Sequence, residues 1–267
     1  MQVTALCGVL GFPVGHSRSP AMHNAAYRAL GLDWRYVKLP VPPALLSETV
    51  RALHGSGFRG ANVTIPHKLD AFACADLRTP AAVAIGAANT LTFSDDGAIE
   101  AHNTDAAGFL AALDMDVRGR RALVLGAGGA ARAVVWALRE AGAEVSVWNR
   151  TPERAQALAD DLKVSAIQRP ATCDVLVNAT SVGLEPQLDE AEMLKALQLD
   201  ELVSPPQAVA DLVYGEEPTP LLAWAERGGS RTVDGVEMLV RQGALSFERW
   251  TGVAPPLDVM RAAAASR

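Results

Sequence analysis

Arg121-Ala-Leu-Val-Leu-Gly126-Ala127-Gly128-Gly129-Ala130-Ala131 is the stretch that decides the fold class of this chain. A largely apolar strand runs straight into Gly-x-Gly-x-x-Ala, and an alanine-rich helical stretch follows. Gly126 permits the tight turn, Gly128 lets backbone approach a pyrophosphate, and Ala131 keeps the helix close to the strand. The first N–H groups of such a helix have no acceptor inside it, and its dipole makes that end positive. The stretch therefore predicts a dinucleotide-binding turn, with Gly126, Ala127, Gly128, Gly129 and Ala130 around the phosphates.

The next strand, predicted over 144–148, ends in Asn149-Arg150-Thr151. An NAD-binding unit places a carboxylate near here to bond the ribose 2′-hydroxyl. None is present. Arg150, Thr151 and Arg154 offer cations and a hydroxyl instead, which suits a 2′-phosphate. NADP is expected over NAD. The plain alternative is a solvated arginine pair, and the neighbouring glycine-rich turn decides against it.

Outward from that turn, the second half reads as strands 121–125, 144–148, 174–178 and 208–213, some continuously apolar as in a sheet covered on both faces. Helical stretches 129–141, 152–162, 190–197 and 220–227 separate them. The first half has the same rhythm: strands 3–9, 36–39, 60–65 and 89–93, with helices 21–30, 43–54 and 67–75. Ser19-Pro20, Thr151-Pro152 and Thr219-Pro220 read as a cap followed by Pro in the first turn. Helices 236–249 and 256–264 finish the chain, the alanine run near the end reading as a frayed helix terminus. The expected fold is α/β with two domains, each on a mostly parallel sheet. The expected division is 1–104 and 105–235, and the last helices, 236–267, could return to the first domain.

Composition sets the outer bounds. The 267 residues carry 24 Lys+Arg against 30 Asp+Glu, a net charge of −6, which argues against nucleic acid or an anionic membrane as partner. Cys7, Cys74 and Cys173 lie far apart and suit a reducing compartment. No apolar run approaches a membrane span, so a cytoplasmic protein is expected. The five histidines, His16, His23, His54, His67 and His102, have no metal-ligand spacing, and no metal site is expected.

Four polar segments sit where ordinary strand ends would not need them: Gly15-His16-Ser17-Arg18-Ser19-Pro20, Asn62-Val63-Thr64-Ile65-Pro66-His67-Lys68, Asn89-Thr90 and Asn103-Thr104-Asp105. In an α/β sheet, ligands bind beyond the strand ends, so these could line one cleft. Each has a bland reading as well. Ser17 and Ser19 could be helix caps, Asn62 and Thr64 could satisfy a strand end, Lys68 could be solvated, and Asp105 could cap the helix from Ala106.

Together with Gly86-Ala87-Ala88-Asn89-Thr90, Asn178-Ala179-Thr180-Ser181-Val182-Gly183, Asp211-Leu212-Val213-Tyr214, Asp234-Gly235 and Gln242, these segments resemble the shikimate dehydrogenase family in order and along the whole chain. The resemblance implies NADPH-dependent, reversible reduction of 3-dehydroshikimate to shikimate, in aromatic amino-acid biosynthesis. It implies a substrate domain, 1–104 completed by 236–267, a Rossmann-type NADP domain, 105–235, and a catalytic pair, Lys68 and Asp105. Ser17, Ser19 and Tyr214 would hold the substrate carboxylate. Asn62, Thr64, Asn89 and Gln242 would bind the ring hydroxyls. The dinucleotide would meet the glycine-rich turn, Asn149, Arg150, Thr151 and Arg154, with Thr180, Leu212 and Gly235 near its ribose and nicotinamide. Leu184, Ala88 and Leu212 depart from residues frequent in the family; they touch loop shape and the nicotinamide pocket, not the catalytic pair. A homodimer is a further possibility of the same reading. Two rivals stand beside it, an NAD-using quinate/shikimate enzyme and a catalytically idle binding protein. Ser19 and Arg150 speak against the first, and the presence of both Lys68 and Asp105 against the second.

Overall fold

The computed structural model describes residues 5–184, 188–202, 204–215 and 217–266. It divides into two compact units, one made of the chain up to Gly108 with Leu239–Ser266, the other of Phe109–Met238. Both divisions fall inside continuous helices.

The first unit contains β1 (Ala5–Gly11), α1 (Ser19–Ala29), β2 (Trp34–Pro40), α2 (Leu46–Gly55), β3 (Phe58–Val63), α3 (Lys68–Cys74), β4 (Leu77–Arg78), α4 (Pro80–Ile85), β5 (Thr90–Phe93), β6 (Ile99–His102) and the start of α5 (Asp105–Leu113). Its sheet has the order β2-β1-β3-β5-β6-β4. β1 is parallel to β2 and β3, whereas β5 runs antiparallel to both β3 and β6. That reversal positions the site. It brings the end of β1, the end of β3, the start of β5 and the end of β6 to one edge of the sheet. Asn62 lies opposite Thr90, and Thr90 opposite His102. Leu10, Val50, Val63, Leu91 and Ile99 form the core between sheet and helices.

The second unit holds the rest of α5, then β7 (Arg121–Leu125), α6 (Gly129–Glu140), β8 (Glu144–Trp148), α7 (Pro152–Leu162), β9 (Ser165–Ala166), β10 (Val175–Asn178), α8 (Glu190–Ala196), β11 (Ala208–Asp211), α9 (Pro220–Arg227) and β12 (Arg231–Val233). Every strand pair is parallel, in the order β12-β11-β10-β7-β8-β9. All four residues of β10 and of β11 are buried, as a sheet covered on both faces requires. The strand order reverses between β7 and β10, which opens a crevice at their carboxyl ends. α10 (Gly235–Thr251) starts in this unit and ends in the first, where α11 (Leu257–Ala265) follows.

Several local expectations need correction. Strand 3–9 is found as Ala5–Gly11, its first two residues lying outside the described chain. Ser19 does not cap α1: the helix begins at Ser19, Arg18 is the N-cap, and no side chain makes the capping bond. Thr151 occupies the N-cap of α7 without a capping bond, whereas Thr219 accepts from Leu222 N–H as expected. The alanine-rich end is packed rather than frayed. Ala264 is fully buried, and the Arg18 guanidinium donates to its carbonyl at 3.0 Å. Small side chains allow that close approach, and the arginine satisfies an end carbonyl the helix leaves open.

Candidate active site

In the first unit, α3 begins one residue after His67. The His67 ring is fully buried and its Nε2 donates to the Val41 carbonyl at 2.7 Å. This bond pins the start of α3 and with it Lys68, so His67 is spent on structure. The Lys68 ammonium donates to Asp105 Oδ2 at 2.6 Å, with side chains only 14% and 5% exposed.

Asp105 is relieved of capping. Asn103 Oδ1 accepts the Ala106 N–H at 3.2 Å in its place. Both Asp105 oxygens are then engaged sideways, Oδ2 by Lys68 and Oδ1 by Asn89 Nδ2 at 2.9 Å. A carboxylate this buried is tolerated because both oxygens accept from donors. The Asn89 amide also reaches Thr104 Oγ1 at 2.9 Å and Gln242 Oε1 at 3.1 Å. Its own Oδ1 accepts the Thr104 N–H at 2.7 Å.

Asn62 continues the network. Its Nδ2 faces Thr90 Oγ1 at 3.0 Å and Ser246 Oγ at 2.8 Å, and its Oδ1 accepts from the Tyr36 hydroxyl at 2.7 Å. The structure thus joins Lys68, Asp105, Asn89, Gln242 and Asn62 through direct hydrogen bonds or one shared neighbour. Ser246 and Tyr36 were missed in the sequence. A serine inside a helix and a tyrosine in a strand carry no signal of their own.

Ser17 and Thr64 sit on the neighbouring loops, and Ser19 is the first residue of α1. Ser17 Oγ accepts the Ser19 N–H at 3.3 Å, and the buried Ser19 hydroxyl bonds no other described residue. The Thr64 N–H donates to the Leu10 carbonyl at 2.8 Å, which holds the loops after β1 and β3 side by side. No hydrogen bond among the described residues ties these three hydroxyls to the Lys68–Asp105 pair.

In the second unit, Gly126 has φ of +110°, and a Cβ there would meet the Ala179 carbonyl oxygen at 2.8 Å. Only glycine fits both demands. Gly128 is different. Nothing lies within 4 Å of where its Cβ would sit, so packing does not require the glycine. The N-cap of α6 lacks a side-chain bond, which leaves its first N–H groups open to an anion. Arg150 and Arg154 are exposed and form no ion pair among the described residues. Asn149 Nδ2 donates to the Thr151 carbonyl at 3.0 Å, holding the turn between them. An open backbone cradle followed by unpaired cations fits a dinucleotide with a 2′-phosphate.

Thr180 is committed to its loop. Its hydroxyl donates to Asn178 Oδ1 at 2.7 Å and accepts the Val182 N–H at 3.0 Å. Leu212 is half-buried, its N–H on the Asn178 carbonyl at 2.9 Å. A Cβ on Gly235 would meet the Leu212 carbonyl oxygen at 2.7 Å, so α10 begins against the loop after β11. Beneath both loops Asp211 is buried and accepts from Asn178, Val213 and Thr219. Burial pushes its carboxyl up to about 6, against the pull of those three donors. Tyr214, half-buried, follows on the same loop.

A parallel sheet with an open glycine-rich turn at its switch point, joined in one chain to a unit holding a buried ammonium–carboxylate pair, has the parts that a nicotinamide-dependent oxidoreductase needs. Family models place it further. The shikimate dehydrogenase substrate binding domain matches residues 9–91, shikimate / quinate 5-dehydrogenase matches 110–205, and the shikimate 5′-dehydrogenase C-terminal domain matches 235–265. The NADP(+) shikimate dehydrogenase of Methanothermobacter thermautotrophicus is 44% identical over 272 residues, covering 96% of this chain and 94% of its own. The Thermus thermophilus shikimate 5-dehydrogenase, solved in complex with NADP(H) and shikimate, matches with a TM-score of 0.83 at 42% identity, covering 97% of this chain and 98% of that one. The Aquifex aeolicus shikimate dehydrogenase structure matches with a TM-score of 0.90 at 36% identity and 98% coverage of each chain. The chain belongs to the shikimate dehydrogenase family.

Proposed function

We propose that this protein catalyses the reversible, NADPH-dependent reduction of 3-dehydroshikimate to shikimate, with Lys68 as general acid/base and Asp105 as its partner. The observation that carries the reading is the buried Lys68–Asp105 pair, bonded onward to Asn89 and Gln242.

Reducing a ring ketone places negative charge on oxygen as the carbon takes hydride. The Lys68 ammonium stabilises that charge and delivers the proton; as a neutral amine it takes the proton back in the oxidation direction. Asp105 cannot donate while ionised, so it fixes the position of the ammonium. Asn89, Asn62, Thr64 and Gln242 bind ring hydroxyls, and Ser17, Ser19 and Tyr214 take the carboxylate. A site of hydroxyls and amides discriminates strongly against analogues lacking a hydroxyl, because its buried polar groups would be left unpaired.

In the second unit, the backbone from Gly126 to Ala130 holds the pyrophosphate, and Asn149, Arg150, Thr151 and Arg154 hold the ribose 2′-phosphate. Thr180, Leu212 and Gly235 shape the nicotinamide end. The bound dinucleotide supplies or accepts the hydride. The first unit is the substrate domain and the second the NADP domain. Three thiols outside any disulfide accord with a cytoplasmic location. No helix among the described residues is long and apolar enough to cross a membrane.

Initial rates followed at the nicotinamide absorbance band, with shikimate and quinate each tested against NADP and NAD, decide the matter. The shikimate–NADP pair should be turned over fastest. Equal rates with NAD would overturn the cofactor assignment, and faster quinate turnover the substrate assignment.

A further inference from the structure

We infer that Tyr36 and Ser246 are positioning residues, holding the Asn62 amide between them in the orientation that meets the substrate. The inference deepens the proposed function and rests on it, since it takes Asn62 and Gln242 as substrate-binding groups.

The hydrogen-bond directions around Asn62 leave little choice. The Tyr36 hydroxyl, 2.7 Å from Oδ1, donates to it. The other side of the amide faces the Asn89 carbonyl at 3.2 Å, Thr90 Oγ1 at 3.0 Å and Ser246 Oγ at 2.8 Å. The carbonyl can only accept, so that side must be the NH2. Ser246 accepts from Asn62, and its own O–H is directed to the Gln242 carbonyl at 3.1 Å, one turn earlier in α10. Tyr36 on β2, Asn62 on β3 and Ser246 on α10 are therefore in series. The series ends on the turn of helix that carries the Gln242 side chain, whose Oε1 accepts from Asn89 at 3.1 Å.

The elements carrying these groups are fixed independently. A Cβ on Gly60 would clash with Trp250 Nε1, and that Nε1 donates to the Leu91 carbonyl at 3.1 Å, so α10 lies hard against β3 and β5. A Cβ on Gly108 would fall 2.7 Å from the Gln242 backbone nitrogen, fixing α10 against α5. On the other side, the Tyr36 ring stacks on His23 with centroids 4.3 Å apart and planes 4° from parallel. Ser246 is fully buried and Tyr36 2% exposed. Neither reaches the substrate from bulk solvent, and both act through Asn62. Removing one hydroxyl frees the amide to rotate toward its other partners, a change in substrate recognition more than in proton transfer.

The test is steady-state kinetics on Ser246→Ala, Tyr36→Phe and the double variant, each also in an Asn62→Ala background, with thermal unfolding in parallel. Each single variant should raise the shikimate KM about 2- to 13-fold, the size of one net hydrogen bond, and leave the NADP KM unchanged. The double variant should raise it by less than the product of the two, because both removals release the same amide. In the Asn62→Ala background Ser246→Ala and Tyr36→Phe should leave the shikimate KM where it is. An unchanged shikimate KM beside a lowered unfolding temperature would mean a structural role only and overturns the inference. So would a further KM increase without Asn62. If one single variant fails to fold, the other decides alone. A wild-type protein that does not turn shikimate over fails the proposed function itself, and the inference with it.

Discussion

Lys68 and Asp105 show how an ordinary residue pair becomes a reactive one. A lone lysine in a sequence is by default solvated, and an aspartate before a helix is by default a cap. Here His67 pins the backbone before Lys68, and Asn103 takes over the cap, so both charges turn toward each other out of solvent. Lys68→Ala should lower kcat by about 10²–10⁴-fold with modest change in KM, the usual scale of general acid–base catalysis. A near-normal kcat would remove Lys68 from the mechanism. Arg150 stands at the same scale. It is exposed and forms no ion pair among the described residues, so its charge is available to a phosphate. Arg150→Ala should raise the NADPH KM by about tenfold or more, the loss of a charged hydrogen bond, and leave the NADH KM within about twofold. Equal weakening of both would show that Arg150 does not read the 2′-phosphate.

At the scale of the element, the β7–α6 turn is the part most tightly specified. Gly126 combines a positive φ with a close approach to Ala179, so the turn after β7 and the loop after β10 are built as one piece. Gly126→Ala should lower the unfolding midpoint, at a cost of about 1–3 kcal/mol from backbone strain and the close contact, and weaken NADPH binding more than tenfold. Unchanged affinity in titrations followed by nicotinamide fluorescence would sever the turn from the cofactor. The same elements were the most legible in sequence. Strands 121–125 and 144–148 and helices 152–162 and 220–227 are found with their expected bounds, because the first strand is a nearly continuous apolar run, the second sets Val145, Val147 and Trp148 against Glu144 and Ser146, and each of the two helices opens on Thr-Pro. β4, β9 and β12, of two or three residues, were not legible. So short a segment has no periodicity, and pairing with a neighbour is what makes it a strand.

For the whole molecule, acid stability follows from rings buried neutral in the first unit. His23 is fully buried, stacked on Tyr36, with neither ring nitrogen hydrogen-bonded, and burial holds its pKa down to about 3. His102, buried and close to the Arg249 cation, is lowered to about 4. An unfolded histidine takes up its proton near pH 6.5, whereas these rings wait until about 3 and about 4. Between those limits the unfolded chain binds more protons at the two rings than the native one, which outweighs the opposite effect of Asp211, raised to about 6, so stability falls as the pH drops from about 6.5 toward 3. At pH 5 the His23 contribution alone amounts to about 2 kcal/mol lost relative to pH 8. His23→Phe should flatten that part of the curve in urea unfolding measured from pH 8 to pH 5. An unaltered slope would place the acid sensitivity elsewhere.

Local sequence determined the class of this protein. Apolar runs of the right length and a glycine at a turn that only glycine can make are chemical facts of the chain, and they pointed to two α/β domains and a dinucleotide; the lysine–aspartate pair came from the resemblance of ordered polar segments to one family. The tertiary structure alone decided which polar side chains hold one another. Asn62 and Gln242 are 180 residues apart, and Ser246 enters their network only because α10 returns across β3. It also decided that Ser19 leaves the helix cap unmade and that the alanine tail is packed rather than frayed. The physical reason is that a hydrogen bond or a contact depends on where two groups meet in space, and a helix returning from the far end of the chain sets that distance without leaving a mark on the residues nearby.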